Sequence, residues 1–249
     1  MIEKANLEVF AETLLQLAKK DSDIIVVTSD SRGSGKLTSF GKELPDQIIE
    51  VGIAEQNLVG ICAGLSAVGK KVFGVSPSSF LTARSLEQIK NDIAYSDHPV
   101  TLVGISAGVS YGQLGATHHS IHDIAVLRAI NNINIVVPAD NFETKEVIKS
   151  AVNFKHPLFI RFGKRPMLKL HEENSGNDDV PGRLIIVTED RYSLAVLTYD
   201  AATNTLQTVS NGDVSDLTGR PVEYGMLGDI DRNTRVIGLH IYDGLLKFI

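Results

Sequence analysis

Apolar and polar positions alternate along the first two thirds of the chain in a pattern that predicts helices between short buried strands. One apolar residue per helical turn marks a first amphipathic helix at Leu7, Phe10, Leu14 and Leu17. The following run, Ile24–Thr28, is rich in branched residues, which is typical of a strand covered on both faces. Similar runs predict further strands at residues 47–51, 71–75, 100–105, 133–137 and 158–162.

Helical periodicity lies between these strands. Further helices are predicted at residues 55–68, 85–95, 121–129 and 141–154. Asp140 and Glu143 have the spacing of a capping box, which marks the start of the last helix. Repeated strand–helix units predict a three-layer α/β fold, in which a mainly parallel sheet lies between two layers of helices.

The pattern changes near residue 170. Residues 171–182 (HEENSGNDDVPG) are polar and rich in turn formers, and they predict a linker. Beyond the linker, short apolar runs predict an all-β antiparallel segment with strands at residues 183–188, 194–199, 206–210, 235–240 and 245–249. We therefore expect two units, residues 1–170 and residues 183–249.

Composition narrows the classes of function. Of 249 residues, 43% are hydrophobic and 22% are charged, as in ordinary soluble globular proteins. The formal net charge of −6 argues against nucleic-acid binding, which usually needs a basic face. The single cysteine, Cys62, fits a reducing cytoplasm. No apolar run approaches the ~20 residues of a membrane span, and the first residues lack a signal-peptide core. These features predict a cytoplasmic protein without membrane contact.

One acidic residue, Glu55, lies in the stretch VGIAEQN (51–57), where an apolar strand gives way to a helix of small residues. A carboxyl group at such a junction can be withdrawn from water, and a desolvated glutamate can exchange protons near neutral pH. The alternative is that Glu55 only decorates the first helical turn, where acids suit the helix dipole.

Residues 29–39 (SDSRGSGKLTS) follow the first buried strand and contain a glycine–lysine pair. A phosphate-binding P-loop needs a glycine where Asp30 stands, and a serine or threonine where Leu37 stands. The P-loop interpretation is therefore rejected. The carboxyl end of a strand is still where α/β sheets bind ligands, so this turn remains a candidate for lining a site.

Three histidines, His118, His119 and His122, lie close together in GATHHSIHD (115–123). Two histidines four residues apart can hold zinc, with Asp123 nearby. Alternatively, the imidazoles line a pocket mouth, where they bind an anionic substrate or transfer protons. No further ligand follows at a characteristic spacing, so we predict no metal site and favour the pocket-lining role.

Phe80 and Arg84 lie in VSPSSFLTARSLEQI (75–89), in a predicted strand-to-helix loop. An aromatic ring in such a loop either stacks on a planar ligand or anchors the core. Arg84 is a candidate for pairing with a phosphate group or with Glu87.

Together, these stretches resemble a known family. The α/β segment is similar to the pyrimidine-binding domain of transketolases and deoxyxylulose-phosphate synthases, which depend on thiamine diphosphate. The resemblance rests on VGIAEQN, SSFLTARSLEQIKNDIAYSDHPV, GATHHSIHDIAVLRAI, IVVPAD and PLFIRFGKRP. It is strongest to the split transketolases, in which this half is a separate polypeptide from the diphosphate-binding half.

The resemblance implies roles for single residues. Glu55 corresponds to the catalytic glutamate that hydrogen-bonds the aminopyrimidine ring of the cofactor and activates it. Phe80 corresponds to the aromatic that stacks on this ring, and His118 to the histidine of a threonine–histidine motif in the substrate channel. Arg84, His119 and His122 are further candidates for the channel. The reaction class implied is ketol transfer, with a homo- or hetero-oligomer as the functional form.

Two departures from the family pattern matter. Leu114 stands four residues before His118, where sugar-phosphate transketolases have an aspartate that contacts the donor. The usual pentose phosphates are therefore not assigned to this chain. Nothing matches the glycine–aspartate–glycine motif that binds Mg²⁺ and the diphosphate. The resemblance thus implies a diphosphate-binding partner that supplies Mg²⁺, and an inactive chain without it.

Residues 178–249 resemble a different protein, the large subunit of the UV-damaged-DNA-binding protein, an adaptor of cullin-based ubiquitin ligases. The likeness is to part of its first β-propeller, and it rests on GDVSD, GRP and IGLHIYDGL. The two resemblances predict a composite chain: a natural or engineered fusion, or the product of a faulty gene model. The rival function is therefore a non-catalytic interaction module that carries a propeller fragment.

Overall fold

A computed structural model of the chain describes residues 2–169 and, beyond them, five strand segments between residues 183 and 248. The chain divides into two compact units, Met1–Glu172 and Glu173–Ile249. The predicted linker, residues 171–182, lies outside the described residues, so its boundaries stay a prediction. Within the described residues, no helix has the length and apolar character needed to cross a membrane.

The first unit contains eight described strands. Six of them form one parallel sheet in the spatial order β3-β2-β4-β5-β7-β6. The other two, β1 and β8, form a small antiparallel pair. The strands are β1 (Ile2–Ala5), β2 (Ile24–Thr28), β3 (Ile48–Glu50), β4 (Lys71–Pro77), β5 (Val100–Ile105), β6 (Asn134–Val136), β7 (Leu158–Arg161) and β8 (Pro166–Leu168).

Helices connect the parallel strands. A π-helical segment, Ile89–Tyr95, continues from α5, and short 3₁₀ turns lie at Pro45–Gln47 and Gly112–Thr117. The α-helices are α1 (Asn6–Ala18), α2 (Thr38–Glu43), α3 (Glu55–Ala67), α4 (Ser78–Arg84), α5 (Leu86–Gln88), α6 (Asp123–Arg128) and α7 (Asn141–Ala151).

Alternate residues of each buried strand contribute to two hydrophobic cores, one on each face of the sheet. In β2, Ile24 and Val26 belong to the first core, whereas Ile25 and Val27 belong to the second. Because side chains alternate between the faces of a strand, the two cores correspond to the two helix layers. The first core includes residues of α1 and α7, and the second includes residues of α3. The three-layer α/β fold predicted from the sequence is confirmed.

Two glycines in the sheet, Gly74 and Gly104, allow helices α3 and α4 to approach the strands closely. A Cβ atom on Gly74 in β4 would lie 2.9 Å from Cys62 Sγ of α3. A Cβ atom on Gly104 in β5 would lie 2.8 Å from Ser78 Oγ at the start of α4. Only glycine leaves room for these contacts, so α3 and α4 are seated directly on the sheet.

Several local predictions can be compared with the structure. The capping interaction at the start of α7 is present, since Asp140 Oδ1 accepts a hydrogen bond from Glu143 N at 2.9 Å. The return bond goes from Ala139 N to Glu143 Oε2, at 2.7 Å. The prediction that Phe80 lies in a loop is wrong, because α4 begins immediately after β4. The pair β1–β8 and helix α2 were not predicted.

The second unit is described only through its strands, which are antiparallel. Three of them form one sheet in the order β11-β10-β9, and two form a hairpin-like pair. The strands are β9 (Arg183–Val187), β10 (Ser193–Asp200), β11 (Thr205–Asp213), β12 (Leu239–Tyr242) and β13 (Leu245–Phe248). An all-β antiparallel segment after the α/β unit is therefore confirmed where the structure describes it.

Candidate active site

Glu55 is the first residue of α3, and its side chain is only 2% exposed. A negative charge is favoured there by the free backbone N–H groups of the first helical turn. The preceding turn is held by Glu50, whose Oε1 accepts hydrogen bonds from Asp30 N at 2.6 Å and Gly52 N at 3.1 Å. Gly52 has φ +71°, a conformation that glycine adopts without strain. The burial predicted for Glu55 is observed, whereas its chemical role stays a prediction.

Arg84, the last residue of α4, lies against this carboxylate. Its Nη1 donates a hydrogen bond to Glu55 Oε2 at 3.0 Å, and its side chain is 46% exposed. The guanidinium carbon also lies 4.3 Å from the centroid of the Phe80 ring, in a cation–π contact. Arg84 therefore pairs with Glu55 and not with Glu87, which was one of its two candidate partners; the other candidate, a phosphate group, stays a prediction.

Three rings form a cluster beside Arg84, which we call the ring cluster: Phe80, Tyr111 and His118. The His118 ring lies edge-on to both neighbours, with centroids 5.2 Å from Phe80 and 5.3 Å from Tyr111. Such edge-to-face packing favours a fixed orientation of each ring. His118 Nδ1 lies 2.9 Å from Thr117 Oγ1, and this contact further orients the imidazole. The structure thus brings Phe80 and His118 together, as predicted.

The loop that carries Tyr111 and His118 follows β5 and is closed at its base. Gly108 and Ser120 exchange two backbone hydrogen bonds of 2.8 and 2.9 Å, which form an isolated β-bridge. Leu114 lies near the middle of this loop and is 53% exposed. The closed base confines the loop to the carboxyl end of the sheet, where parallel α/β folds bind their ligands.

His119 and His122 are held by neighbours outside the ring cluster. His119 Nε2 lies 2.9 Å from Gly112 O, and a carbonyl oxygen can only accept, so this nitrogen donates. His122 Nε2 lies 3.3 Å from Thr82 Oγ1, whose own hydrogen is directed to Ser78 O at 2.7 Å. His122 Nε2 is therefore also a donor. Among the described residues, no three His, Cys, Asp or Glu side chains are arranged to hold a metal ion.

A buried ion pair lies behind this loop. Arg161 at the end of β7 donates through Nε to Asp123 Oδ2 at 2.9 Å, and the two side chains are 3% and 0% exposed. Ser78 Oγ donates to the same oxygen at 2.7 Å. Arg161 Nη2 also donates to Ser120 O at 3.2 Å. These bonds join the start of α4, the base of the loop and the start of α6.

Sequence reasoning missed Tyr111, Arg161 and Lys164 as residues of this region. Lys164 Nζ lies 5.1 Å from the centroid of the Tyr111 ring. A signal for Arg161 was present, because a charged residue ends the otherwise apolar strand LFIR at the ligand-binding edge of the sheet. Nothing comparable marks Tyr111, whose place depends on how its loop closes.

The surroundings of Glu55 suit a planar, amino-bearing heterocycle. The buried Glu55 carboxylate can accept hydrogen bonds, and the half-buried Phe80 ring can stack. The Arg84 guanidinium, a flat group with N–H donors, makes both contacts with the protein. An aminopyrimidine carries the same features, so the residues present fit the ring of thiamine diphosphate.

The order of the strands and the residues at the carboxyl edge of the parallel sheet are typical of an α/β ligand-binding domain. Residues 3–168 match the family described as "Transketolase, pyrimidine binding domain". The chain therefore belongs to the transketolase pyrimidine-binding-domain family. Residues 118–249 also match the family described as "RSE1/DDB1/CPSF1 first beta-propeller". Where the matches overlap, β6 and β7 pair in parallel within the α/β sheet.

Similar proteins include several separate transketolase subunits. An apulose-4-phosphate transketolase subunit of Phocaeicola vulgatus is 52% identical over 170 residues, which are 68% of this chain and 53% of that protein. A subunit of the same name from Actinobacillus succinogenes is 37% identical over 72% of this chain and 57% of its own length. A putative transketolase C-terminal section of Methanocaldococcus jannaschii is 36% identical over 75% of this chain and 60% of its own length.

Solved structures agree with these relationships. A split-gene transketolase, described as an inactive beta4 tetramer, superposes with a TM-score of 0.63 and 31% identity, and the match covers 74% of this chain and 59% of that one. Transketolase of Pichia stipitis shares the fold, with a TM-score of 0.65 at 23% identity over 77% of this chain and 31% of that one. The chain spans little more than half the length of the curated relatives it matches. The relationship supports a transketolase-like subunit.

Proposed function

We propose that this chain is the pyrimidine-binding subunit of a thiamine-diphosphate-dependent transferase of the transketolase type. The observation that carries the proposal is the buried carboxylate of Glu55 at the ligand-binding edge of the sheet, where Arg84 contacts both this carboxylate and the Phe80 ring. Residues from the connections after β3, β4 and β5 meet there. The fold supports the proposal, because parallel sheets bind ligands at the carboxyl ends of their strands.

Each residue then has a distinct task. Glu55 accepts or shares a proton at a ring nitrogen of the aminopyrimidine, and its burial strengthens that hydrogen bond. Phe80 offers its ring for stacking. His118 is oriented by Thr117 and by the ring cluster, and in this proposal its imidazole orients a substrate hydroxyl group. The bound cofactor supplies the carbanion-stabilising chemistry of ketol transfer, and these side chains position it.

The diphosphate and Mg²⁺ are bound by a partner chain in this proposal. No glycine–aspartate–glycine motif is present in the sequence, since Val214 follows Gly212-Asp213 and Ile230 follows Gly228-Asp229. A cofactor held only by its ring would lose most of its charge-based binding. We therefore propose that the chain alone is inactive and that activity appears when a diphosphate-binding subunit is added.

For the substrate we propose a ketose phosphate of the kind named in its relatives, apulose 4-phosphate. Leu114 replaces an acidic contact expected for pentose phosphate donors, and its side chain is exposed in the loop before His118. A site without that acceptor discriminates against donors that need it. Comparing apulose 4-phosphate with xylulose 5-phosphate as donor measures this preference directly.

The decisive experiment combines the full chain with a diphosphate-binding subunit, Mg²⁺ and thiamine diphosphate. Glu55→Gln should lower kcat by about 10²- to 10⁴-fold, the usual contribution of a positioned acid or base. Glu12→Gln is the matched control, because Glu12 is an exposed acid on α1 that pairs with Lys4 of β1. Full activity in Glu55→Gln would refute the assigned role.

A second candidate function follows from the propeller match over residues 118–249. In that alternative, the composite chain is a non-catalytic interaction module whose β segment binds a propeller partner. Unpaired edges of open β-sheets favour non-specific association, which weakens this hypothesis. Pull-down of a cullin-ligase component by the full chain, lost on truncation after Leu170, would favour it over the enzymatic proposal.

A further inference from the structure

Arg84 makes two contacts that are seldom combined in one side chain. It donates to a carboxylate that is almost fully buried, and it covers the face of an aromatic ring. Yet nearly half of its own side chain remains exposed. The guanidinium therefore lies at the boundary between the site and solvent, with the Glu55 carboxylate beneath it and the Phe80 ring beside it.

The physical reason for this position is the charge on Glu55. A buried carboxylate without a partner is costly, and Arg84 supplies a hydrogen-bonding side chain to Glu55. A guanidinium is flat, carries N–H donors and stacks on aromatic faces. These are the features by which an amino-bearing pyrimidine would be held between Glu55 and Phe80. A ring that used the same Glu55 oxygen and the same Phe80 face would compete with the guanidinium for both contacts.

We propose that Arg84 occupies the seat of the cofactor's aminopyrimidine ring and is displaced when the ring binds. This inference rests on the proposed function, since it assumes that Glu55 and Phe80 form that seat. Arg84 acts as a gating residue: it compensates Glu55 while the seat is free of cofactor, and it competes with the ring for both contacts. Its exposed position at the end of α4 lets the side chain swing into water at little cost.

The competition has a measurable consequence. When the binding-competent state is only fractionally populated, the apparent affinity falls by that fraction. The cation–π contact and the ion pair of Arg84 both border solvent, so together they contribute only a modest free energy. We therefore expect Arg84 to be away from Glu55 and Phe80 roughly a tenth of the time. Replacing Arg84 by glutamine, which loses the charge and the stacking guanidinium and keeps only a neutral amide donor, should therefore tighten binding by about tenfold.

The test titrates the full chain with thiamine, which carries the pyrimidine ring but no diphosphate, and measures Kd by NMR. Arg84→Gln should lower Kd by about tenfold relative to the unmodified chain. Arg84→Lys, which keeps the charge but not the flat stacking group, should lie between the two. Arg128→Gln is the matched control, because Arg128 is an exposed arginine at the end of α6 and should leave Kd unchanged.

A second readout separates displacement from a purely structural role. Thermal unfolding is measured with and without saturating thiamine. If thiamine displaces Arg84, the Arg84→Gln substitution lowers Tm only when thiamine is absent. When the ring is bound, the Arg84 side chain no longer contributes to the stability of the fold. A structural arginine would lower Tm equally in both conditions, and that result would overturn the proposal.

The two hypotheses can fail separately. An unchanged or higher Kd in Arg84→Gln, with binding abolished in Glu55→Gln, overturns the gating role and leaves the proposed function in place. Binding that is insensitive to Glu55→Gln overturns the proposed function itself. If no variant binds thiamine, Arg84 does not compete with the ring on this chain and the gating role is overturned, whereas the kcat comparison of Glu55→Gln with the diphosphate-binding subunit present still tests the proposed function.

Discussion

Two carboxylate–arginine pairs lie at the same edge of the sheet, and they are built in opposite ways. In the pair Asp123–Arg161, both side chains are buried, at 0% and 3% exposure. In the pair Glu55–Arg84, the acid is 2% exposed but the arginine is 46% exposed. The first pair is closed to water on both sides, whereas the second is open on one.

The pairs also differ in how fully their hydrogen bonds are used. Asp123 Oδ2 accepts from Arg161 Nε and from Ser78 Oγ, and Oδ1 accepts from Ile124 N. Among the described residues, Glu55 accepts from one side chain, through Oε2. Buried polar groups with all their partners inside the protein make a rigid network. A buried acid with one removable partner can exchange that partner for a ligand.

Structural support and ligand chemistry are thereby divided between the two pairs. Asp123–Arg161 fixes the base of the loop and the start of α4, and thereby positions Phe80 and His118. Glu55–Arg84 lies beside Phe80 and is open to solvent on the arginine side. The closed pair should therefore govern stability, and the open pair should govern ligand binding.

The largest expected effect is on stability, from Asp123→Asn. The substitution keeps the shape of the side chain but leaves the buried Arg161 charge uncompensated, which should cost about 3 kcal/mol or more. Urea unfolding followed by circular dichroism measures the change. If the free energy of unfolding falls by less than about 1 kcal/mol, the Asp123–Arg161 pair contributes no more than an ordinary surface pair. The closed and the open pair would then not differ in stability.

Gly104→Ala should have the next largest effect. The added methyl group would lie 2.6 Å from Phe159 Cζ and 2.8 Å from Ser78 Oγ, and it would push Ser78 away from Asp123. Overpacking of this kind costs typically about 1–3 kcal/mol. The free energy of unfolding again provides the measurement.

Gly60→Ala supplies the control for that substitution. Gly60 lies in α3, and a Cβ atom there would meet nothing within 4 Å. Alanine is a better helix former than glycine by about 0.8 kcal/mol, so this variant should be slightly more stable. Equal losses in both variants would mean that the clash at Gly104 is not the cause.

The sequence predicted the architecture well where burial is two-sided. Residues 24–28 and 100–105 were assigned the bounds that β2 and β5 have in the structure, because continuous branched runs mark such strands. Helix α4 was missed because its seven residues follow β4 without a polar turn and without a side-chain cap. The pair β1–β8 was missed because three- and four-residue strands carry too little pattern.

The site was predictable only in part, for a related reason. Glu55, Phe80 and His118 could be singled out, since each lies in a recognisable stretch of sequence that follows a strand. The contacts between Arg84 and Glu55 and between Arg161 and Asp123 join residues 29 and 38 positions apart. Local pattern says nothing about such pairs, because the sheet brings them together only after the strands have been ordered.

Glu55→Gln probes the open pair in the same unfolding assay. Because Arg84 can return to water when its partner is neutral, the free energy of unfolding should change by about 1 kcal/mol or less. The substitution that we expect to suppress ketol transfer should thus change the free energy of unfolding very little. A loss as large as that of Asp123→Asn would show that the two pairs are alike, and that the open pair is also structural.

The smallest effect is expected at Asp21, whose half-buried surface pair with Lys71 serves as a reference for the other two pairs. The side-chain hydrogen bond from Lys71, followed by that from the Asp23 backbone, holds the pKa of Asp21 below its usual 3.8. A lowered folded-state pKa adds stability above the unfolded value and loses it as pH falls through the folded one. Asp21→Asn should therefore cost about 0.5 kcal/mol or less at pH 7, after solvent screening, and nothing once the pH lies well below 3.8. Urea unfolding curves measured between pH 7 and a pH well below 3.8 test this expectation. If Asp21→Asn still lowers the free energy of unfolding in acid, the amide disturbs packing, and Asp21 is not a valid reference for a solvent-screened pair.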